Sequence, residues 1–218
     1  MAQQNTYLNE TVELLKAQWP ENRAVNIVCH GHSVPAGYFA TPVVDTFHAY
    51  PHLLHRILKD RFPFAVVNVI VTAIGGESSP DGAARFQDDV LCHRPDVVTI
   101  DYSLNDRGVG LEKAEECWRD MIEKALAKEI KILLLTPSAD ATQRRDASEE
   151  ERLPLQQQAA QVRRLAQEYD VGLVDSLTVF EKYRDEGALA DLMSWSNHPN
   201  DQGHALIARE LSRWFGYF

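Results

Sequence analysis

Short apolar runs alternate with longer amphipathic stretches along this chain. Ala24–Cys29, Ala65–Ala73, Asp96–Tyr102, Lys131–Thr136 and Val171–Asp175 are rich in β-branched and other apolar residues, and their near-continuous hydrophobicity predicts strands buried on both faces. Leu8–Trp19 carries Leu8, Val12, Leu15 and Trp19 at helical spacing and stops before Pro20. Tyr50–Arg61 predicts a second helix, with Pro51 suited to its first turn. Pro80–Leu91, Leu111–Lys128, Leu155–Tyr169 and Asp201–Phe215 predict further helices, with one or two more between Asp175 and Met193. The polar, charged stretch Ser138–Glu151 predicts a surface loop. Strands alternating with helices imply a parallel sheet covered on both faces, an α/β three-layer sandwich of about five strands. No repeat or low-complexity linker divides the chain, so residues 1–218 are expected to form a single domain with residues 1–20 a leading helix packed on it.

Composition narrows the partners. A length of 218 residues suits one α/β domain with a full core. The net charge of −10 argues against nucleic acid or an anionic membrane as a main partner. The first residues lack the basic and apolar regions of a secretory signal, and no apolar run approaches the roughly 18 residues of a membrane span, so no stable membrane association is expected. Cys29, Cys92 and Cys117 are odd in number and scattered, which fits free thiols in a reducing cytoplasm; the expected location is cytoplasmic.

Candidate chemistry lies where the predicted strands end. Gly31-His32-Ser33, Gly75-Gly76-Glu77 and Ser103-Leu104-Asn105-Asp106 each follow a strand, and in a parallel sheet those ends share one edge, where ligands usually bind. His198, in Asn197-His198-Pro199-Asn200-Asp201, precedes the last helix. A serine nucleophile needs a base near neutrality, which His198 would supply, and donors for a developing oxyanion. The N–H groups of Ser33 and Gly76 and the side-chain amide of Asn105 are such donors. The structural alternatives are a turn serine, a packed histidine and a turn-shaping asparagine. His204 is expected to be structural, and Asp106 to brace its loop. His30 with His32, and His52 with His55, lack partners at a metal-binding spacing, and the latter pair is expected on a solvated helix face.

These four blocks, in this order, resemble the SGNH (GDSL-type) hydrolases. Gly31-His32-Ser33 is similar to the nucleophile block, with His32 where the family usually has aspartate; Gly76 matches the second-block glycine; Asn105 matches the asparagine of the third block, with Ser103 in place of its glycine; His198 matches the histidine of the last. The resemblance spans about Ala24 to Ala208. It implies a flavodoxin-like sheet and a serine esterase or acylhydrolase with Ser33 as nucleophile and His198 as base. Ser33, Gly76 and Asn105 would line the oxyanion hole, with no metal or organic cofactor. It also implies a small-molecule ester substrate: an acetylated sugar, a short acyl ester or a lysophospholipid. Tyr38, Phe39 and Trp195 are candidates for the substrate pocket. Trp195 stands where the family carries its triad aspartate, three residues before the histidine. Asp191, Asp201 or a backbone carbonyl would have to orient His198 instead. That departure motivates a second reading, a non-catalytic binding module on the same fold. A metal-dependent phosphoesterase built on the histidine pairs is a third.

Overall fold

The computed structural model describes residues 1–216; the last two positions of the expected 1–218 domain lie outside them. Its centre is a sheet of five parallel strands in the order β2-β1-β3-β4-β5: β1 (Ala24–Gly31), β2 (Val66–Val71), β3 (Val97–Asp101), β4 (Lys131–Leu135) and β5 (Gly172–Val174). Successive side chains leave a strand on opposite faces. Val25, Ile27 and Cys29 accordingly join one core with Val97, Leu133 and Leu135, while Val28, Val98, Ile100, Ile132 and Leu134 join the other. The first core is closed by α1 (Asn9–Lys16), α3 (Tyr50–Arg61), α7 (Ser176–Glu186) and α8 (Asp201–Arg213), through residues such as Leu15, Leu54, Phe180 and Leu211. The second is closed by α4 (Ser79–Arg85) and the turn after it, α5 (Leu111–Leu126) and α6 (Glu149–Glu168), chiefly through Phe86, Trp118, Met121 and Leu165. The result is the three-layer α/β sandwich that the alternating pattern predicts.

Several elements depart from expectation for identifiable reasons. β2 is an edge strand with Val66 and Val71 exposed, so its β-branched run reflects strand propensity rather than burial on both faces. The first helix stops at Lys16, and Trp19 lies exposed beyond it. The stretch predicted as a helix from Pro80 widens after Arg85 into a π turn, Phe86–Val90, and then tightens into a 3-10 turn, Leu91–His93. α6 begins at Glu149, six residues before Leu155 and with Pro154 inside it. Ser148 and Glu151 form a capping box there, which explains the acidic start. The preceding segment is not a surface loop throughout: Ser138, Ala139, Asp140 and Gln143 are buried, and Asp140 pairs with Arg107 at 2.6 Å. His52 and His55 are half-buried rather than solvated, and His55 Nε2 lies 3.0 Å from the Val67 carbonyl.

Strand order places the site. The chain moves outward from β1 to β2, then returns to the other side of β1 for β3, so the crossovers diverge between the carboxyl ends of β1 and β3. That topological switch point is where open parallel sheets leave a crevice. The two ends are tied there, with the His32 N–H donating to the Asp101 carbonyl at 3.1 Å.

Candidate active site

At the end of β1 the chain turns into a short helix, α2 (Ser33–Ala36), capped by the His32 ring, whose Nδ1 accepts from the Val34 N–H, and closed by Gly37 at a φ of 91°. This turn buries Ser33 to 7% exposure and holds its hydroxyl at the crevice. Ser33 Oγ lies 2.9 Å from Nε2 of His198, 165 residues away in sequence. His198 is only 4% exposed. Burial pushes its pKa below the ordinary imidazole value, against the opposing effect of its hydrogen bond to Phe39 and with a smaller push from the nearby His32.

A tight turn presents His198. The Ser194 N–H and hydroxyl both donate to the His198 carbonyl, at 3.0 and 3.2 Å, and Met193 bridges Pro199. Asn200 then caps α8 by accepting from the N–H groups of Gln202 and Gly203, and its side-chain amide donates to the Asp191 carbonyl at 2.8 Å. The ring's second nitrogen, Nδ1, lies 2.7 Å from the Phe39 carbonyl. Of the possible orienting groups for His198, the geometry therefore selects the backbone carbonyl. Neither Asp191 nor Asp201 has a side-chain contact with His198 among the described residues, and both are exposed. The reason is geometric: Asp191 contributes its carbonyl to the Asn200 cap, and Asp201 is the first residue of α8. Trp195 is turned outward and 59% exposed.

Gly76 and Asn105 stand in the turns that follow β2 and β3. Gly76 has a φ of 86°, in the region that favours glycine, and lies exposed with open space where a side chain would project. Asn105 begins the 3-10 turn after β3, and its amide donates to the Glu77 carbonyl at 2.8 Å, its second amide hydrogen having no partner among the described residues. Glu77 is gripped by the Arg85 guanidinium, with Nη2 2.6 Å from Oε2 and Nε 3.0 Å from the same oxygen. The loop that carries Gly76 is thus held at Glu77, through both its carbonyl and its carboxylate. Asp106 braces the same corner, accepting from the Ser79 N–H at 2.8 Å and from Trp118 Nε1 at 2.7 Å; burial pushes its carboxyl above the usual range.

The remaining histidines divide by environment. His204 is fully buried, accepts from the Tyr50 N–H at 3.2 Å, and packs its ring 4.9 Å from that of Phe39; burial pushes its pKa down to about 3. His30 is buried against Tyr102 and Phe86 and is pushed down to about 4, again chiefly by burial. Among the described residues, no three His, Cys, Asp or Glu side chains are grouped to hold a metal ion. His32 does not merely occupy its turn: Nδ1 lies 3.3 Å from Ser33 Oγ, and Nε2 lies 3.3 Å from Oδ1 of the buried Asp101. Sequence reasoning missed this contact, the grip of Arg85 on Glu77 and the identity of Phe39 as the source of the carbonyl. Only Asp101 left a visible signal, an acidic residue ending an otherwise apolar strand.

Tyr38 packs its ring on the Gly75 backbone and lies 6.1 Å, centroid to centroid, from the His198 ring. The Phe39 ring is buried, so of the three aromatics expected at a pocket Phe39 contributes its carbonyl instead. Trp195 and Ser196 line a separate cavity of about 320 Å³ with Arg144, Arg145, Leu189 and Met193.

Comparison with known proteins places the chain by sequence and by fold. The sequence model of the GDSL-like Lipase/Acylhydrolase family matches residues 29–206. An acetylxylan esterase of Geobacillus stearothermophilus is 25% identical over 174 residues, 74% of this chain and 78% of that one. A crystal structure of the acetylxylan esterase Axe2 from that organism superposes with a TM-score of 0.78 at 23% identity, covering 89% of this chain and 95% of that one. LAE5, an alpha/beta hydrolase enzyme from the metagenome of Lake Arreo in Spain, gives a TM-score of 0.76 at 24% identity, over 93% and 98% of the two chains. Solved structures of Axe2 also include catalytic mutants in which a serine, a histidine or an aspartate is replaced by alanine.

Proposed function

This chain belongs to the GDSL-like lipase/acylhydrolase family and is a carboxylic ester hydrolase, and from that premise we propose that it cleaves a small ester through an acyl-Ser33 intermediate with His198 as general base. The observation that carries this reading is the line Phe39 O, His198, Ser33 Oγ, with steps of 2.7 and 2.9 Å. A proton on Nδ1, donated to the Phe39 carbonyl, leaves the Nε2 lone pair facing the Ser33 hydroxyl, which is the tautomer a general base needs. A carbonyl lacks the full charge of a carboxylate, so it orients the ring while stabilising the imidazolium less. The lowered pKa of His198 keeps it neutral, and ready to accept, near pH 7.

Ser33 Oγ attacks the acyl carbon; the new C–O bond forms as the carbonyl π pair moves to oxygen, and the Ser33 proton passes to His198 Nε2. The oxyanion accepts from the N–H groups of Ser33 and Gly76 and from the free amide hydrogen of Asn105. Loss of one such donor costs about 10²- to 10³-fold in turnover in related chemistry. The proton then goes to the departing alkoxide, and His198 takes a proton from water for the second half-reaction, which returns free Ser33 and the carboxylic acid. The acetylxylan esterase relative favours acetylated sugars among small esters; Tyr38, beside Gly75 and His198, would flank a short acyl group. The case for a non-catalytic module rests on Trp195, and the carbonyl at Nδ1 removes the need for a carboxylate there.

A fluorophosphonate probe followed by intact mass and peptide mapping tests the reading. One adduct on Ser33, absent in Ser33→Ala, is expected. No labelling under conditions that label a control serine esterase would overturn it.

A further inference from the structure

Ser33 Oγ faces two imidazoles. His198 Nε2 is the nearer at 2.9 Å, and His32 Nδ1 follows at 3.3 Å. Behind His32 stands a carboxylate: Nε2 lies 3.3 Å from Asp101 Oδ1, and Asp101 Oδ2 accepts from the Tyr50 hydroxyl at 3.2 Å. His32 is 1% exposed, Asp101 3% and Tyr50 0%, so bulk water does not screen the group.

The backbone sets the tautomer. The Val34 N–H donates to His32 Nδ1 at 3.3 Å, which requires a lone pair on that nitrogen. The His32 proton then lies on Nε2, the nitrogen facing Asp101. Carboxylate, N–H, lone pair and serine hydroxyl follow one another in the order a triad uses, with the ring reversed relative to His198 and the Nδ1 lone pair shared between the Val34 N–H and the Ser33 hydroxyl, both at 3.3 Å. The fold builds this closeness at Gly31, paired with Asp101 in the β1–β3 ladder. A Cβ on Gly31 would lie 2.4 Å from the Asp101 carbonyl oxygen and 3.1 Å from its Cβ, so only glycine lets the strand ends approach this far.

We propose that Asp101 and His32 form a second acid–base couple on Ser33, holding near the nucleophile the buried carboxylate that His198 lacks and accepting the Ser33 proton when His198 is removed. The proposal rests on the reading of Ser33 as nucleophile. The bonds made and broken are those of acyl transfer to Ser33. In the intact site the proton moves to His198 Nε2 and the Asp101 charge offsets the positive ring. In His198→Ala the Val34 N–H releases the Nδ1 lone pair as the Ser33 proton moves onto it, with Nε2–H still directed at Asp101, and the proton then leaves with the alkoxide. Among the described residues, the titratable groups facing the couple are Tyr50 from α3, the buried Cys29 thiol of β1, His198 from the turn before α8 and Asp106 after β3.

Two measurements test the couple. Ring-nitrogen NMR of the unmodified protein, labelled with ¹⁵N-histidine, reads the tautomer without any substitution. His32 is expected with its proton on Nε2 and none on Nδ1; a proton on Nδ1 at neutral pH overturns the couple. In kinetics, His198→Ala is expected to hydrolyse an activated acetyl ester measurably faster than Ser33→Ala, and to lose about tenfold more when His32→Gln or Asp101→Asn is added, a larger factor than the same substitution costs with His198 in place. A His198→Ala rate no higher than that of Ser33→Ala, or one unchanged by the second substitution, overturns it. Should Asp101→Asn fail to fold, His32→Gln in the His198→Ala background and the tautomer measurement decide in its place. Failure of the nucleophile reading looks different: Ser33→Ala would then keep full activity whatever the His32 tautomer.

Discussion

The two sides of Ser33 are built by different means. His32 and Asp101 stand at the ends of adjacent strands, fixed by sheet register and by a glycine that admits no side chain. His198 stands in a loop, 165 residues away in sequence, fixed by a serine-centred turn, the Asn200 cap and a single carbonyl from Phe39. The strand-built side carries the carboxylate but the longer contact to Ser33; the loop-built side carries the shorter contact but no carboxylate. On the proposed reading, a triad's two services, orientation of the base and negative charge near it, are divided here between two imidazoles.

Replacing the shared element has the largest expected effect. Ser33→Ala should reduce kcat by about 10⁴-fold or more in ester hydrolysis, and a loss below about tenfold would remove both sides at once. His198→Ala should cost about 10³-fold in kcat with little change in KM, because it removes an interaction made in the transition state. Asn105→Ala should cost about 10²-fold, some of it through the Glu77 loop that the amide holds; a smaller loss from Asn105→Ala than from Trp195 substitutions would move the oxyanion site elsewhere.

Acidity sharpens the contrast in a second way. With His198 as the proposed base, it must be neutral to accept the Ser33 proton, and burial lowers its pKa. The acid limb of kcat/KM is therefore expected below pH 6.5, the ordinary histidine value, with activity lost as pH falls through the lowered pKa. The fold itself weakens over the same range. His30, pushed to about 4, and His204, pushed to about 3, stay neutral in the folded chain, whereas the unfolded chain takes up protons near pH 6.5. Stability is full above that pH and falls below it by up to about 1.4 kcal/mol per unit and per histidine, measurable by urea unfolding at pH 7 and pH 5. The smallest effect is expected of Trp195→Asp, which restores the family's usual residue. Because Nδ1 of His198 is engaged by Phe39 and Trp195 faces solvent, kcat should change by less than about threefold; a large gain would show that the loop rearranges to use the carboxylate.

The same division explains what could be read from the sequence. Ser33, Gly76 and Asn105 follow apolar runs, and a residue after a buried strand has few places to go, so their shared edge was legible. His198 was legible from its block before an amphipathic helix. The Phe39 carbonyl was not, because a backbone atom leaves no trace in residue identity and its position depends on how the loop after α2 packs on His204. β2 misled in another way: Val66 and Val71 favour strands whether or not they are covered, so their identity could not mark an edge. In the segment after β4, charged residues concealed burial, because Asp140 is neutralised by Arg107, which lies far off in sequence.

Acid quench during turnover of an activated acetyl ester, followed by peptide mapping, tests the central claim most directly. An acetyl group on the Ser33 peptide is expected, accumulating to a larger fraction of enzyme wherever deacylation is slowed. Turnover with no acylated Ser33 at any quench time, or an acetyl group on another side chain, would contradict the account.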